Sequence, residues 1–201
     1  MRYPTRATLF VTLSLPLAAV LAGWSAAPEQ LALQADSRVW VDGTSSLKAF
    51  TCKATQVDAA VEASSTNSVA HIMSGEKAVK SVDLTVASAK MDCSNGTMND
   101  HMREALKVNE FPTIAFHVAS YDVAKGTDGV SGTLTGTLTL GGVTRPVTVS
   151  ANATEVGGAL HVLGSYELNM TEYSIKPPSL FFGRIKVRDN VTVRFDLLLK
   201  S

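Results

Sequence analysis

Ile185-Lys-Val187-Arg-Asp-Asn-Val191-Thr-Val193-Arg-Phe195-Asp-Leu197-Leu-Leu199 decides the fold. Its apolar side chains take odd positions, while Lys186, Arg188, Thr192, Arg194 and Asp196 fall between them. Successive side chains of a strand point to opposite faces, so this rhythm predicts a strand with one buried and one wet face. The same rhythm runs upstream through Leu160, Val162, Tyr166, Leu168 and Met170. It also runs through Val147, Val149, Ala151 and Ala153, and through Leu134, Leu138 and Leu140 between threonines. Gly141-Gly142 and Gly157-Gly158 separate these runs. Glycine pairs accept the positive φ angles of tight hairpin turns. Strands near 131–140, 143–156 and 159–170 therefore form a meander, and a longer loop over 171–183 precedes the final strand. Its Pro177-Pro178 cannot join a sheet interior.

The first half is less regular. Thr, Val, Ala and Ser suggest strands near 37–42, 45–55, 57–64, 68–73 and 79–91. One short helix interrupts them. Thr97 is its expected cap, with Asp100 three residues on, and Met98, Met102, Ala105 and Leu106 recur at helical spacing. Asn109 and Pro112 are its expected stop. Eight or nine antiparallel strands with one short helix make an all-β domain, which curls into a barrel or splits into a sandwich.

The N-terminus predicts export. Arg2 and Arg6 precede an apolar stretch from Ala7 to about Gly23, broken by Pro16, and Ser25-Ala26-Ala27 supplies a small-residue exit. That order describes a cleaved signal peptide over 1–27, and the run is short for a membrane anchor. Trp24 stands where a lipoprotein signal needs cysteine. Residues 28–201 then form one domain, large enough to fold without a metal or a disulfide. Without Arg2 and Arg6, the 18 basic residues of the chain fall to 16 against 18 acidic. No overall basic field attracts nucleic acid or anionic lipid headgroups. Nothing downstream is long and apolar enough to span a membrane as a helix. In an oxidising compartment the even pair Cys52 and Cys93 is expected to form a disulfide, with two unpaired cysteines as the alternative, and the sequence itself holds no geometry. Closing that loop would contribute about 4 kcal/mol.

No catalytic constellation emerges: there is no nucleophile elbow, phosphate loop or zinc-protease helix. The chain is read as no enzyme, with no cofactor. His117 and His161 lie in predicted strands and should face solvent. Cys93, Met98, His101 and Met102 form the sharpest polar cluster, a donor set that suits copper(I). Against this, Met98 and Met102 at helical spacing read as a packed helix face, with His101 exposed.

Asn109-Glu-Phe111-Pro112-Thr-Ile114-Ala-Phe116 resembles the Tyr/Phe-Pro-x-Ile-x-Phe segment of the YceI-like family. Gly132-Thr-Leu-Thr-Gly136-Thr-Leu-Thr-Leu140-Gly141-Gly142-Val143-Thr-Arg-Pro146-Val147 resembles that family's next hairpin, and Val82-Asp-Leu-Thr-Val86 the strand before the helix. The resemblance runs from about Trp40 to Leu199. It departs at Trp40-Val-Asp-Gly43-Thr-Ser-Ser46, where many relatives carry a His-Ser pair. The resemblance implies a lipocalin-like extended antiparallel β-barrel, periplasmic or secreted, that binds polyisoprenoid or other long amphiphilic lipids.

A barrel of about eight strands encloses one elongated ligand or fills itself with side chains. If it is open, strand parity nominates Phe116, Val118, Leu138, Leu140, Val149, Tyr166, Leu168, Val193 and Phe195 as ligand-lining. Tyr173, Lys176, Phe181 and Phe182 would shape the entrance. Two other functions stand beside the lipid carrier. One is a periplasmic metal or redox protein using Cys93, Met98, His101 and Met102, and the other is a ligand-free structural or interaction module.

Overall fold

Strand periodicity dominates the molecule, and the computed structural model describes residues 28–180 and 184–201. The expected signal peptide and Phe181 and Phe182 lie outside the described residues. The strands are β1 (Ala32–Leu33), β2 (Arg38–Thr44), β3 (Ala49–Ala54), β4 (Asp58–Ala63), β5 (Val79–Ala87), β6 (Met91–Asp92), β7 (Thr113–Lys125), β8 (Val130–Leu140), β9 (Val143–Val156), β10 (Ala159–Asn169), β11 (Ser179–Leu180), β12 (Ile185–Lys186) and β13 (Asn190–Lys200). Nine of the described strands have six residues or more, which agrees with the predicted tally. Two helices interrupt them, α1 (Ser68–Met73) and α2 (Gly96–Ala105).

The sheet runs β4-β5-β7-β8-β9-β10-β13-β2-β3-β6, with β1 added on β13 and every pairing antiparallel. It curls into an antiparallel half-barrel. A sheet this long with native twist cannot stay flat. Both glycine-pair turns form as expected. Gly141 and Gly142 have φ of 56° and 80°, and Gly157 and Gly158 have 58° and 76°. The ring of Phe111 lies where a Cβ on Gly142 would sit, so the two sequence motifs pack on each other. Among the described residues no ladder joins edge strand β4 to β3, although only residues 55–57 separate them in the chain. Side chains fill the seam at the disulfide end, where Cys52, Val86, Met91 and Cys93 are buried together with Val57 and Leu84 against them. At the α1 end β4 bonds by backbone to residues 29–31, which lead into β1.

Several expectations are corrected. Residues 68–73 form α1 rather than a strand. Val69 and Ile72 are buried one helical turn apart, and Asn67 turns the chain at φ 59°. Ser68, fully buried, donates its backbone N–H (3.0 Å) and its hydroxyl to Glu29. α2 is capped by Asn95, whose side chain accepts from the Met98 N–H, rather than by Thr97. It ends at Ala105, before the predicted stop, and Lys107 follows at φ 50°. The run from Ile185 to Leu199 is two strands, because Val187 N–H turns to Pro178 C=O and Arg188 N–H to Thr44 C=O. Residues 45–48 are a turn, so the predicted strand over 45–55 shortens to β3.

Among the described residues the buried side chains fall into separate clusters rather than one central core. Leu31, Val61, Val69, Ile72, Ala78, Leu160 and Leu199 bury one end under α1. Leu140, Leu168, Tyr173, Ile175 and Val191 pack the other, with Ala105 and Leu106 of the α2 region against them. Leu160 and Leu168 lie eight residues apart on β10, so the two clusters are separated by roughly 27 Å of strand.

Candidate functional site

Between those clusters the half-barrel encloses a cavity of about 540 Å³. Its wall is the inward face of every long strand. On β8 the lining runs from Val130 through Gly132, Leu134 and Leu138 to Leu140. That is ten residue steps, or roughly 33 Å along the strand. A strand tilt of about 40° shortens this to roughly 25 Å along the axis. The wall is aliphatic and aromatic almost throughout. Apart from the two tyrosines and the disulfide, its polar residues are Ser45, Lys48, Asn95, Thr97, His101 and Asn152. All but Asn152 come from the turn between β2 and β3 and from the start of α2.

Eight of the nine nominated residues line this cavity: Phe116, Leu138, Leu140, Val149, Tyr166, Leu168, Val193 and Phe195. Val118 does not. It is buried opposite Val82, but the register slips between Val118 and Ser120. Ala119 and Ser120 both face solvent there, and parity flips so that Tyr121 and Val123 turn inward instead. Such a bulge redirects every later side chain. The Tyr121 hydroxyl spans to β5, accepting from the Val79 N–H at 2.9 Å and donating to the Val79 C=O at 3.0 Å.

Sequence reasoning missed the contribution of the first half. Val39 and Val41 of β2, Phe50 of β3 and Val82, Leu84 and Val86 of β5 also line the cavity. Their alternation in β2 and β5 was a usable signal. Two rings lie flat on the wall because glycine faces them across the ladder: Phe50 over Gly43, and Phe195 over Gly164. A Cβ at either glycine would collide with the ring. The glycines thereby keep two phenylalanines against the sheet.

At one end the cavity meets solvent. Leu47 lines it and is 70 % exposed. Pro178, Ile185 and Val187 line the same region. Of the other expected entrance residues, Lys176 is exposed and absent from the lining, while Tyr173 is buried in the adjoining cluster. The Tyr173 hydroxyl has no partner among the described protein groups, and burial pushes its ionisation well above the usual tyrosine range.

Cys52 and Cys93 form a disulfide, with Cα atoms 3.9 Å apart, and both line the cavity. Met102 Sδ lies 3.7 Å from Cys93 Sγ, and Met98 and His101 line the wall nearby. The predicted copper cluster is therefore brought together, but its thiolate is consumed in a covalent bond. Met98 and Met102 rest on the buried cluster around the disulfide, as a packed helix face would. His117 and His161 point outward, to Asp83 at 2.6 Å and Asp196 at 2.7 Å. His117 is exposed, whereas His161 is only part-exposed, so the expectation of a solvent-facing ring holds for the first more fully.

The fold has clear relatives among solved structures. BcnA of Burkholderia cenocepacia superposes with a TM-score of 0.64 at 18% identity, covering 81% of this chain and 95% of that one. A domain of Saccharophagus degradans described as polyisoprenoid binding superposes with a TM-score of 0.58 at 13% identity, covering 86% and 97%. In sequence, a UPF0312 protein of Enterobacter sp. (strain 638) is 40% identical over 76 residues, a match spanning 37% of this chain and 38% of that relative. The YceI-like domain model matches residues 34–199, which takes in the long strands as far as Leu199 and the cavity wall apart from Leu31, and the chain belongs to that family.

Proposed function

We propose that this chain binds and carries an elongated apolar or amphiphilic lipid of the polyisoprenoid kind inside the half-barrel, without catalysing a reaction, in the periplasm or outside the cell. The observation that carries the reading is the long apolar wall with polar residues gathered mainly at one end. A binding protein for an amphiphile needs that distribution: hydrocarbon along the lumen, polar partners where a head group would sit. The polyisoprenoid-binding neighbour supports the ligand class. The leader pattern of residues 1–27 and the disulfide support export. An open lumen weighs against a side-chain-filled structural module.

Burial supplies the energy. Each methylene moved from water into the wall is worth about 0.8 kcal/mol, so about ten of them offset association costs on the way to micromolar affinity.

The test is native mass spectrometry of protein purified after export, followed by organic extraction. A bound mass that extracts as a prenyl or acyl lipid is expected. Gly132→Leu should lower the loaded fraction. Gly132 lines the lumen, and the nearest atoms to an added Cβ, Asp122 O and Ala151 O, lie at 3.5 and 3.9 Å, so the side chain projects into the space a tail would use. An apo mass unchanged after incubation with polyprenyl lipid would sink the reading.

A further inference from the structure

We propose that the mouth of the cavity docks on an anionic bilayer, so that ligand passes between membrane and lumen without crossing bulk water. This rests on the lipid reading of the cavity.

The mouth has a rim of two segments locked together. Ser46 N–H donates to Lys186 C=O at 2.9 Å and the Ser46 hydroxyl to Arg184 C=O at 3.1 Å. Arg188 N–H donates to Thr44 C=O at 2.9 Å. Ile185 and Val187 face the cavity, and the alternation puts Arg184, Lys186 and Arg188 on the other side, all exposed. Lys48 is exposed beside Leu47. None of these four cations forms an ion pair among the described residues. Across the mouth the guanidinium of Arg103 on α2 is paired with Asp100 at 3.4 Å, and the His101 ring lies 4.0 Å from Glu104. Asp189 is the one carboxylate within the 184–189 stretch. Residues 28–201, with 16 basic against 18 acidic side chains, thus gather four cations without an ion pair around Leu47, the most exposed large apolar side chain among those described.

That combination fits a lipid surface better than a protein. Cations are attracted to the negative potential of anionic headgroups, and an apolar tip among them reaches the acyl boundary. Leu47 also continues the apolar wall of the lumen, so hydrocarbon inside and hydrocarbon outside would meet at one residue. An acidic soluble protein would satisfy the cations and leave that continuity unused.

The experiment is co-sedimentation with phosphatidylcholine vesicles, with and without phosphatidylglycerol. Binding to the anionic vesicles only, weakened by salt, is expected. Leu47→Asp should lower it about tenfold, and the triple change Arg184→Gln, Lys186→Gln, Arg188→Gln about tenfold or more. The triple variant, whose changed side chains face away from the lumen, should still load a polyprenyl lipid from detergent. Equal binding to neutral and anionic vesicles, no binding to either, or variants that bind as the unaltered chain does would each overturn the proposal. In the last two cases an acidic protein becomes the partner the rim cations suit. Vesicle binding without any uptake from detergent would leave docking standing and reject the ligand reading.

Discussion

The two ends of the half-barrel each carry a helix, and they are held in opposite ways. α1 has six residues and buries three of them, Ser68, Val69 and Ile72. α2 has ten residues and buries none. At the α1 end aliphatic packing and the Glu29–Ser68 hydrogen bonds seal the strands. Those bonds also hold the Glu29 carboxyl below its usual range. The α2 end has its own packed cluster, which Ala105 and Leu106 meet, but the start of the helix is fastened by the Cys52–Cys93 bond and by polar clamps. Asn99 accepts from the Cys93 N–H and donates to Asp92, each at 2.7 Å, and Asn95 caps the helix. One end is packed shut. The other is tied down beside the mouth, and a tie can be released without unpacking what it restrains.

The largest way to break this contrast is to cut the tie. Cys52→Ala with Cys93→Ala closes no loop across the 41-residue separation and should cost about 4 kcal/mol. Hydrogen exchange should quicken over residues 91–106 while β1 and β4 keep their protection. Uniform loss would erase the difference between the ends. Next in size, Ile72→Ala should cost about 2–3 kcal/mol in a denaturant titration, with the added exchange appearing in β1 and β4 instead. Gly43→Ala is smaller, about 1–2 kcal/mol, because Phe50 must leave its seat on the sheet. Its sharper readout is ligand capacity, since the displaced ring turns into the lumen near the mouth.

The smallest effect is a pH dependence. The Thr51 hydroxyl first, then the Trp40 indole and Arg194, hold the Asp42 carboxyl below the usual aspartate range. A lowered folded value gives stability that is complete above the unfolded pKa, about 3.9, and disappears as pH falls through the folded one. Asp42 is more than a third exposed, so the contribution is ~0.5 kcal/mol. Asp42→Asn should flatten the acid limb of a stability–pH curve measured between pH 6 and 3. An unchanged limb would mean that solvent screens the site.

The half-barrel was legible wherever information is local. The meander from β8 to β10 follows from strict alternation and two glycine pairs, each signal complete within a few residues. Val118 was misplaced because nothing in Phe116-His-Val118-Ala-Ser120 announces an extra residue against β8. α1 was misread because Ser68-Val-Ala-His-Ile-Met73 suits either periodicity over so short a run. The choice is made by Glu29, 39 residues away in the chain. Whether the lumen was open could not be read either. Gly43 and Gly164 stand in the sequence as isolated strand glycines, and their meaning depends on which phenylalanine faces each across the ladder.

The unpaired seam between β3 and β4 has a mechanical consequence. A fully laddered barrel has a fixed circumference, since any change in girth must break or re-register a row of hydrogen bonds. Here β3 and β4 are hinged at residues 55–57 and share no ladder, while the far end of β4 is tied by backbone to residues 29–31, with Leu31 N–H donating to Val61 C=O at 2.9 Å and Ala63 N–H to Glu29 C=O at 2.8 Å. The wall is therefore a cuff fastened at the α1 end: it has room to loosen around a thick cargo only toward the disulfide, where side-chain packing fills the gap.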